Sequence, residues 1–198
     1  MTEARTLLQL SGADLTPARI RDSCLVLIDL QNEYLQGPVA VPGAGPAIAA
    51  AAQLLRSARQ AGSPVFHIAH AGRAGGLFDR AAPRGQIVAE LAPEPNEAVV
   101  EKALPNSFAG TNLNELLSVT GRKNLILAGF MTHMCVSSTA RVAVDLGYRV
   151  TVAASACGTR ALPDGRGGVV AAATLHDVAL VELSDRFAII AQTNDALL

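Results

Sequence analysis

Three side chains of different reactivity lie at or just past the ends of predicted strands: Asp29, Lys102 and Cys135. The carboxyl ends of parallel strands meet at one edge of a sheet, where ligands bind. We therefore expect a carboxylate, an ammonium and a thiol to lie close together. Asp29 can accept the thiol proton, and a nearby ammonium stabilises a thiolate. These three residue types predict a nucleophilic site with Cys135 as the attacking group.

Cys135 follows a predicted strand that runs directly into a predicted helix. Residues 125–129 are apolar and end in Gly129, and apolar residues recur at helical spacing over 133–145. The unpaired N–H groups and the dipole of a helix start lower a thiol pKa. We therefore predict a reactive thiolate in the first helical turn. The alternative is that Cys135 is a small buried hydrophobic residue.

The other two cysteines are predicted to be packing residues. Cys24 opens an apolar run and Cys157 lies in a string of small residues, and neither precedes a predicted helix. An odd number of cysteines suits a reducing compartment rather than a disulfide framework.

The length of the chain predicts a single domain, residues 1–198, in which residues 1–22 form an N-terminal arm. Half of the 198 residues are apolar, and 16 basic against 17 acidic side chains leave a net charge of −1. This balance argues against a nucleic-acid or membrane-surface partner. The first twenty residues lack a signal-peptide core, and no run is long enough for a membrane span, so we expect a cytoplasmic protein.

Strand-like apolar runs alternate with helix-like segments along the chain. Six strands are predicted at 24–29, 65–70, 97–102, 125–129, 149–153 and 178–182. Helices are predicted at 46–61, 86–91, 111–119, 133–145 and 169–176, with Ser184 capping a last helical turn. This alternation predicts a three-layer α/β/α fold around a six-stranded, mostly parallel, doubly wound sheet.

Three segments together resemble the isochorismatase-like cysteine hydrolase family, over about residues 22–190. The first is Ile28–Tyr34, an Asp-x-Gln-Asn-acidic-aromatic opening. The second is Val100–Lys102, followed by Asn106–Thr111. The third is Gly129–Val136. The order and spacing of the three carry the resemblance, since each motif alone is weak.

The resemblance implies a Cys135–Asp29–Lys102 triad that hydrolyses a small amide or carbamoyl compound through a thioester. It also implies a cis peptide at Phe130–Met131, an oxyanion hole from the backbone N–H groups of Met131 and Cys135, and a homo-oligomer, dimer or tetramer. The family's strand order would put Lys102 on an outer strand, from which its side chain must reach inward.

Five further residues flank strand ends and are candidates for substrate contact. They are Gln31, Tyr34, His70, Phe108 and His133. The alternative for each is ordinary packing or solvent exposure. Arg73 and Arg80 on the glycine-rich segment 71–85 are weaker candidates for reading an anionic substrate, and a solvated loop arginine is the simpler interpretation.

We expect neither a metal nor another cofactor. Nicotinamidases of the family carry an Asp-x-His metal site after the first strand, whereas this chain has no histidine between Asp29 and His67. His67 and His70 are three apart on a predicted strand and face opposite sides. The absence of that metal site disfavours nicotinamidase activity. Cys135 disfavours isochorismate vinyl ether hydrolysis, because family members with that activity usually lack the cysteine.

Three other functions compete with the hydrolase interpretation. A dinucleotide-binding domain would need Gly-x-Gly-x-x-Gly after the first strand, where Leu30–Tyr34 stands instead. A thiol-redox protein would need a resolving cysteine, and no Cys-x-x-Cys occurs. A non-catalytic binding protein on the same fold stays open, because a fold does not determine function.

Overall fold

A six-stranded sheet forms the centre of the molecule. The structure is a computed structural model that describes residues 3–198. Its strands are β1 (Ser23–Ile28), β2 (Val65–His70), β3 (Ala98–Lys102), β4 (Asn124–Phe130), β5 (Arg149–Gly158), β6 (Leu162–Pro163), β7 (Val169–Val170) and β8 (Ile189–Ala191). The central sheet has the order β3-β2-β1-β4-β5-β8 and every pair is parallel, whereas β6 and β7 form a separate antiparallel pair.

Helices connect the strands. They are α1 (Leu7–Leu10), α2 (Glu33–Gln36), α3 (Ala44–Gln60), α4 (Leu113–Ser118), α5 (Ser137–Asp145) and α6 (Ala172–Arg186). A π-helical turn, Thr132–Val136, joins β4 to α5. Short 3-10 turns occupy Ile20–Asp22, Pro83–Gly85, Ala89–Leu91 and Asn194–Ala196.

The helices cover both faces of the sheet and create two cores. Alternate residues of β1 point to opposite sides, and all six are buried. On one face α3 packs with Leu25 and Leu27, and on the other α4, α5 and α6 pack with Val26 and Ile28. Burial on both faces explains why the strands are continuous apolar runs. The predicted three-layer fold with a six-stranded parallel sheet is confirmed.

The predicted sixth strand, 178–182, is wrong. These residues belong to α6, and the sixth strand of the sheet is β8. The continuous apolar letters suggested a strand, but burial follows helical spacing: Ala179, Leu180 and Leu183 are buried, whereas Val178 and Val181 are exposed. The predicted helix at 169–176 therefore begins at 172 and continues ten residues further, to 186, after the short strand β7.

Other boundaries also differ from the predicted ones. Ser184 lies inside α6, where its hydroxyl donates to the Val181 carbonyl, and does not cap a new helix. Segment 86–91 forms only a 3-10 turn in place of a regular helix, and β5 runs five residues beyond its predicted end at 153. Helices 46–61 and 111–119 are confirmed as α3 and α4 with small changes at their ends.

Residues 1–2 of the predicted N-terminal arm lie outside the described part of the chain. In the rest of the arm, α1 docks on α6, where the Leu7 N–H donates to Asp185 Oδ1 at 2.8 Å. Over residues 3–198, none of the helices combines the length and the apolar character that crossing a bilayer requires.

Gly129 allows β4 to approach β1 closely at the carboxyl edge of the sheet. Its φ is +135°, a conformation that L side chains rarely adopt. It pairs with Ile28, and a Cβ at this position would lie 2.0 Å from the Ile28 carbonyl oxygen. Asp29 therefore follows β1 at the same level as Phe130, the last residue of β4.

Replacing Gly129 by alanine should therefore destabilise the protein by ~2–4 kcal/mol, because overpacking and a strained φ act together. Gly121→Ala is the matched control, since Gly121 also has a positive φ, +69°, but open space around it. We expect the control to cost only ~1 kcal/mol. Urea unfolding measures both, and equal losses would show that the close approach to Ile28 is unimportant.

Candidate active site

Asp29 turns its carboxylate inward through an unusual backbone conformation. Its φ is +50°, in the left-handed region, and its N–H still donates to the Ile68 carbonyl at 2.9 Å. The chain then bends so that the Gln31 N–H donates to the Asp29 carbonyl. A left-handed residue other than glycine costs about 1 kcal/mol, which aspartate tolerates better than most residues. The side chain is fully buried.

Lys102 reaches Asp29 from the edge of the sheet. It is the last residue of β3 and pairs in register with His70 at the end of β2, so β2 lies between it and β1. Its ammonium Nζ lies 2.7 Å from Asp29 Oδ2, 3.3 Å from His70 Nδ1 and 3.4 Å from Cys135 Sγ. The long, flexible side chain thus extends past the end of β2, which answers how an outer-strand lysine reaches the centre.

Cys135 lies in the π-helical turn between β4 and α5. The Met134 and Val136 N–H groups both donate to the Met131 carbonyl, at 3.0 and 3.3 Å. The peptide bond between Phe130 and Met131, just before this turn, is cis. The turn directs Sγ at Lys102 and leaves Cys135 only 3% exposed.

Burial dominates the electrostatics of the three groups. Loss of solvent raises the pKa of Asp29, and the Lys102 ammonium opposes that rise. Loss of solvent and then the Asp29 charge raise the pKa of the Cys135 thiol to about 12, again against Lys102. The raised pKa of the thiol favours its protonated form at neutral pH, whereas the 2.7 Å contact with Lys102 Nζ favours the ionised form of Asp29.

The predicted lowering of the Cys135 pKa is not what the site favours, because burial raises it. A helix start contributes only about 1 kcal/mol in favour of an anion, whereas burial of a charged group is far more costly. The π-helical geometry of the turn also departs from the expected first turn of an α-helix. Cys135 is nevertheless not enclosed by hydrocarbon alone, because its sulfur contacts the ammonium of Lys102.

One oxygen of the buried carboxylate is unused. Asp29 Oδ2 accepts from Lys102, but no donor within residues 3–198 hydrogen-bonds Oδ1. Buried polar atoms are normally satisfied, and exceptions often mark functional positions. A free lone pair next to a protonated thiol is what a proton acceptor requires.

His70 completes the contacts of Lys102. Burial and then the Lys102 charge lower the pKa of His70, so the ring is neutral at pH 7 and Nδ1 accepts from the ammonium. The prediction placed His70 at the substrate; the structure places it against the lysine, where it can orient Nζ.

Gln31 holds the backbone around the site. Its amide nitrogen donates to the carbonyls of His70 and Gly85, at 3.0 and 2.7 Å, and its amide oxygen accepts from the His70 N–H at 2.8 Å. All of these partners are main-chain groups. We therefore assign Gln31 to positioning the segment after β1 rather than to substrate contact.

An aromatic group borders the site. Tyr34 packs edge-on against Phe130 and at a tilt against Phe78, with ring centroids 5.4 and 5.1 Å apart, and Phe78 also contacts His70. Burial, followed by the Asp29 and Cys135 charges, raises the pKa of Tyr34, so its phenol is neutral. Of the five predicted substrate contacts, two belong to the cores: Tyr34 is buried in the core on the α3 side, and Phe108 packs against the core on the other face, where it stacks on Tyr148.

His133 lies in the same turn as Cys135. Its Nδ1 is 2.5 Å from Thr159 Oγ1, whereas Nε2 is buried without a hydrogen-bond partner in the described chain. On the other side of the turn, Thr132 Oγ1 lies 2.8 Å from His176 Nδ1. Two hydrogen bonds thus connect the π-helical turn to the segment after β5 and to the start of α6.

Sequence reasoning missed several of these residues. They are Phe78, Thr132, Thr159 and His176. Thr159 follows the true end of β5, so the strand-end rule would have found it had the predicted strand not ended at 153. Phe78 lies in the glycine-rich segment 71–85, where no periodicity marks it.

Of the two loop arginines, Arg80 is held by contacts within the fold. Arg80 Nε donates to Glu101 Oε1 at 2.9 Å, which ties segment 71–85 to β3. Arg73 is exposed on that segment. Across residues 3–198, histidine, cysteine and acidic side chains form no cluster of three or more that could bind a metal ion. His67 lies against Glu97 and His70 against Lys102, on different sides of β2.

Comparison with known proteins is consistent with this geometry. Residues 23–195 match the sequence profile described as Isochorismatase domain. A crystal structure described as an isochorismatase from Pseudomonas putida KT2440 superposes with a TM-score of 0.95 at 40% identity, covering 99% of this chain and 100% of that one.

Two curated relatives add to the comparison. A protein named secreted isochorismatase effector Isc1, from Verticillium dahliae, is 38% identical over 98% of this chain and 99% of its own length. Maleamate amidohydrolase from Pseudomonas putida is 30% identical over 71% of this chain and 74% of its own.

Removing the ammonium should destabilise the protein through the charge it leaves behind. We expect Lys102→Met to cost ~3 kcal/mol of unfolding free energy, because Asp29 becomes a buried, unpaired carboxylate. The double variant Asp29→Asn/Lys102→Met should recover at least half of that loss. Urea unfolding of the four proteins at pH 8 measures the cycle, and simple additivity of the two losses would contradict a direct ion pair.

Alkylation of Cys135 by iodoacetamide should be slow at neutral pH and accelerate about tenfold per pH unit from pH 7 to 9, because only the thiolate reacts. The raised pKa of the thiol sets this direction. Peptide mass mapping separates Cys135 from Cys24 and Cys157. A rate that is already constant between pH 6 and 8 would indicate a resting thiolate.

Proposed function

The chain belongs to the isochorismatase family, and we propose that it is a cysteine-dependent hydrolase of small amide or carbamoyl compounds. In this proposal the C–N bond is cleaved through a thioester on Cys135. Asp29 is the general base and acid, and Lys102 is their electrostatic partner. The observation that carries the proposal is the Lys102 ammonium, which touches Asp29 Oδ2 and Cys135 Sγ at the same time.

Acylation begins with the thiol protonated. The substrate carbonyl carbon approaches Sγ, the S–H proton moves to Asp29 and the C–S bond forms as the carbonyl electrons move to oxygen. A free thiolate would cost ~1.4 kcal/mol for each pKa unit above the working pH. Proton transfer concerted with attack avoids that intermediate, and the nearby ammonium stabilises the charge that develops on sulfur.

Collapse of the tetrahedral species breaks the C–N bond. Asp29 returns its proton to the leaving nitrogen, which departs as ammonia or an amine and leaves a thioester. A water molecule then gives a proton to Asp29 while its oxygen attacks the thioester carbonyl. The C–S bond breaks, Asp29 returns the proton to Sγ, and the acid product leaves.

The oxyanion is assigned to the backbone N–H groups of Met131 and Cys135. Both belong to the stretch that begins with the Phe130–Met131 peptide, and Cys135 lies within the π-helical turn. Backbone donors held in a turn need little reorganisation as charge develops.

The comparisons support hydrolase chemistry at a coarser level. The matched family consists of hydrolases, and one relative is named an amidohydrolase. The substrate itself is a proposal: a diffusible small molecule with an amide or carbamoyl group. A cytoplasmic location stays an expectation, and one relative is named as a secreted protein. A homo-oligomeric assembly stays a prediction.

Cys135→Ala should keep the fold and lower turnover by ~10³-fold or more, because the covalent step is lost. The assay is ammonia release from a panel of primary amides, carbamoyl compounds and ureides, with intact-mass detection of an acyl adduct on the wild-type enzyme. Cys24→Ala is the control, since Cys24 is buried at the other end of β1. Undiminished hydrolysis by Cys135→Ala would remove the thioester from the mechanism.

A further inference from the structure

Glu33 is a buried acidic residue that the proposed mechanism does not use. It is the first residue of α2 and only 1% exposed. Its Oε2 accepts a hydrogen bond from the Phe78 N–H at 3.2 Å, and its Oε1 lies 3.4 Å from Arg84 Nη1. Gly37 leaves room for the side chain, because a Cβ at this position would lie 2.1 Å from Glu33 Oε1. The carboxylate therefore connects the segment after β1 to the glycine-rich segment 71–85.

The hydrogen bond to Phe78 is the main contact of this carboxylate. No donor within residues 3–198 hydrogen-bonds Glu33 Oε1. The Arg84 side chain is 52% exposed, and an ion pair with so exposed a partner contributes little. A buried carboxylate without hydrogen bonds is costly, so the Phe78 N–H stabilises Glu33 while Glu33 fixes the position of Phe78.

Residues 72–78 form a closed loop on the surface. The Gly72 N–H donates to the Phe78 carbonyl at 2.9 Å, and a Cβ on Gly72 would lie 1.8 Å from the Leu77 carbonyl oxygen. No residue of this loop is fully buried. Segments with few buried contacts open locally at a lower free-energy cost than the core does. The loop can therefore move as a unit while the sheet stays intact.

Phe78 holds this loop in a strained conformation. Its φ is +58°, in the left-handed region that bulky side chains rarely adopt. The centroid of its ring lies 5.1 Å from those of Tyr34 and His70. Backbone strain of this kind persists only when the surroundings hold it in place. Here Glu33 holds the N–H of Phe78, and the two rings hold its side chain.

The rings beside Phe78 lie next to the catalytic groups. His70 Nδ1 is 3.3 Å from Lys102 Nζ. Tyr34 and Cys135 are each only 3% exposed. A substrate can therefore reach Cys135 Sγ only when part of this cover moves. Of the three aromatic rings, that of Phe78 belongs to a loop without fully buried residues, so its displacement disturbs the core least.

We propose that residues 72–78 form a lid over the catalytic groups, and that Glu33 is the positioning residue that holds this lid closed. When the Glu33–Phe78 hydrogen bond breaks, the strain at Phe78 is released and its ring withdraws, which opens a route to Cys135. Closure returns the ring to His70 and excludes water during the reaction. The covering of the thiol stands without any chemistry, whereas its effect on turnover rests on the proposed function.

The test is the rate at which iodoacetamide alkylates Cys135 at pH 8, followed by peptide mass mapping. The proteins are the wild type, Glu33→Ala, Glu33→Gln and the control Glu90→Ala, which removes an exposed glutamate. We expect Glu33→Ala to raise the rate about tenfold, because a hydrogen bond to a charged group is lost and the open fraction grows. Glu33→Gln keeps an amide oxygen that can accept from the Phe78 N–H, so its increase should be smaller. Glu90→Ala should leave the rate unchanged.

Two further comparisons separate the lid from other effects. Phe78→Ala keeps Glu33 and removes the cover, so it should also raise the Cys135 rate. Adding Glu33→Ala to Phe78→Ala should have little further effect, because both changes act on the same lid. Cys24 and Cys157 are buried in strands, and their alkylation rates should stay at the wild-type level in every variant.

An unchanged Cys135 rate in either Glu33→Ala or Phe78→Ala overturns the lid. A parallel rise at Cys24 and Cys157 does so too, because it indicates a general loosening of the fold. Equal increases in Glu33→Ala and Glu33→Gln would also overturn it, since they would trace the effect to the lost charge.

The same proteins are then assayed for ammonia release and for an acyl adduct on Cys135. Alkylation that depends on Glu33 and Phe78 without any adduct would sink the hydrolase proposal and leave the lid standing. Adduct formation in proteins whose Cys135 alkylation is indifferent to both residues would do the reverse.

Discussion

The site depends on a buried ion pair that crosses a strand. Lys102 on the edge strand and Asp29 after the central strand meet at 2.7 Å with no solvent exposure of either side chain. Burying two charges costs several kcal/mol for each ion, and their mutual attraction offsets this only in good geometry. An apolar pair would be at least as stable, so stability alone does not account for these residues. Their arrangement makes sense for chemistry: it keeps a carboxylate ionised beside a thiol that is itself protonated.

The rest of the fold positions that pair. The order β3-β2-β1-β4 brings the lysine, the aspartate and the π-helical turn that carries Cys135 to neighbouring strand ends. The positive φ of Gly129 lets β4 lie against Ile28, and the positive φ of Asp29 turns the carboxylate inward. The side-chain amide of Gln31 forms hydrogen bonds with three backbone groups and so holds the loop that carries Asp29. Rigid elements thus preorganise groups that would be costly to assemble during reaction.

Much of this was predictable because burial leaves clear patterns. Strands covered on both faces are continuous apolar runs, so five of the six strands and the convergence of Asp29, Lys102 and Cys135 followed from residue order alone. The sixth strand was misplaced because Val178–Val181 is apolar all round, and only tertiary burial distinguishes a helix there. The direction of the shift in the Cys135 pKa was mispredicted because the sequence shows the start of a helix but not how deeply the thiol is buried. Burial has the larger influence on the pKa. Thr159 was missed because the predicted fifth strand ended at 153, whereas β5 continues past a bulge to Gly158.

The central claim is that the resting site holds a neutral thiol next to an ionised carboxylate. Infrared difference spectroscopy at pH 7, wild type minus Cys135→Ser and wild type minus Asp29→Asn, observes both groups directly. The account predicts an S–H stretch assigned to Cys135 and a carboxylate band, without a protonated-acid carbonyl band, assigned to Asp29. An absent S–H stretch together with a protonated Asp29 would show that the proton has already moved, and would contradict it.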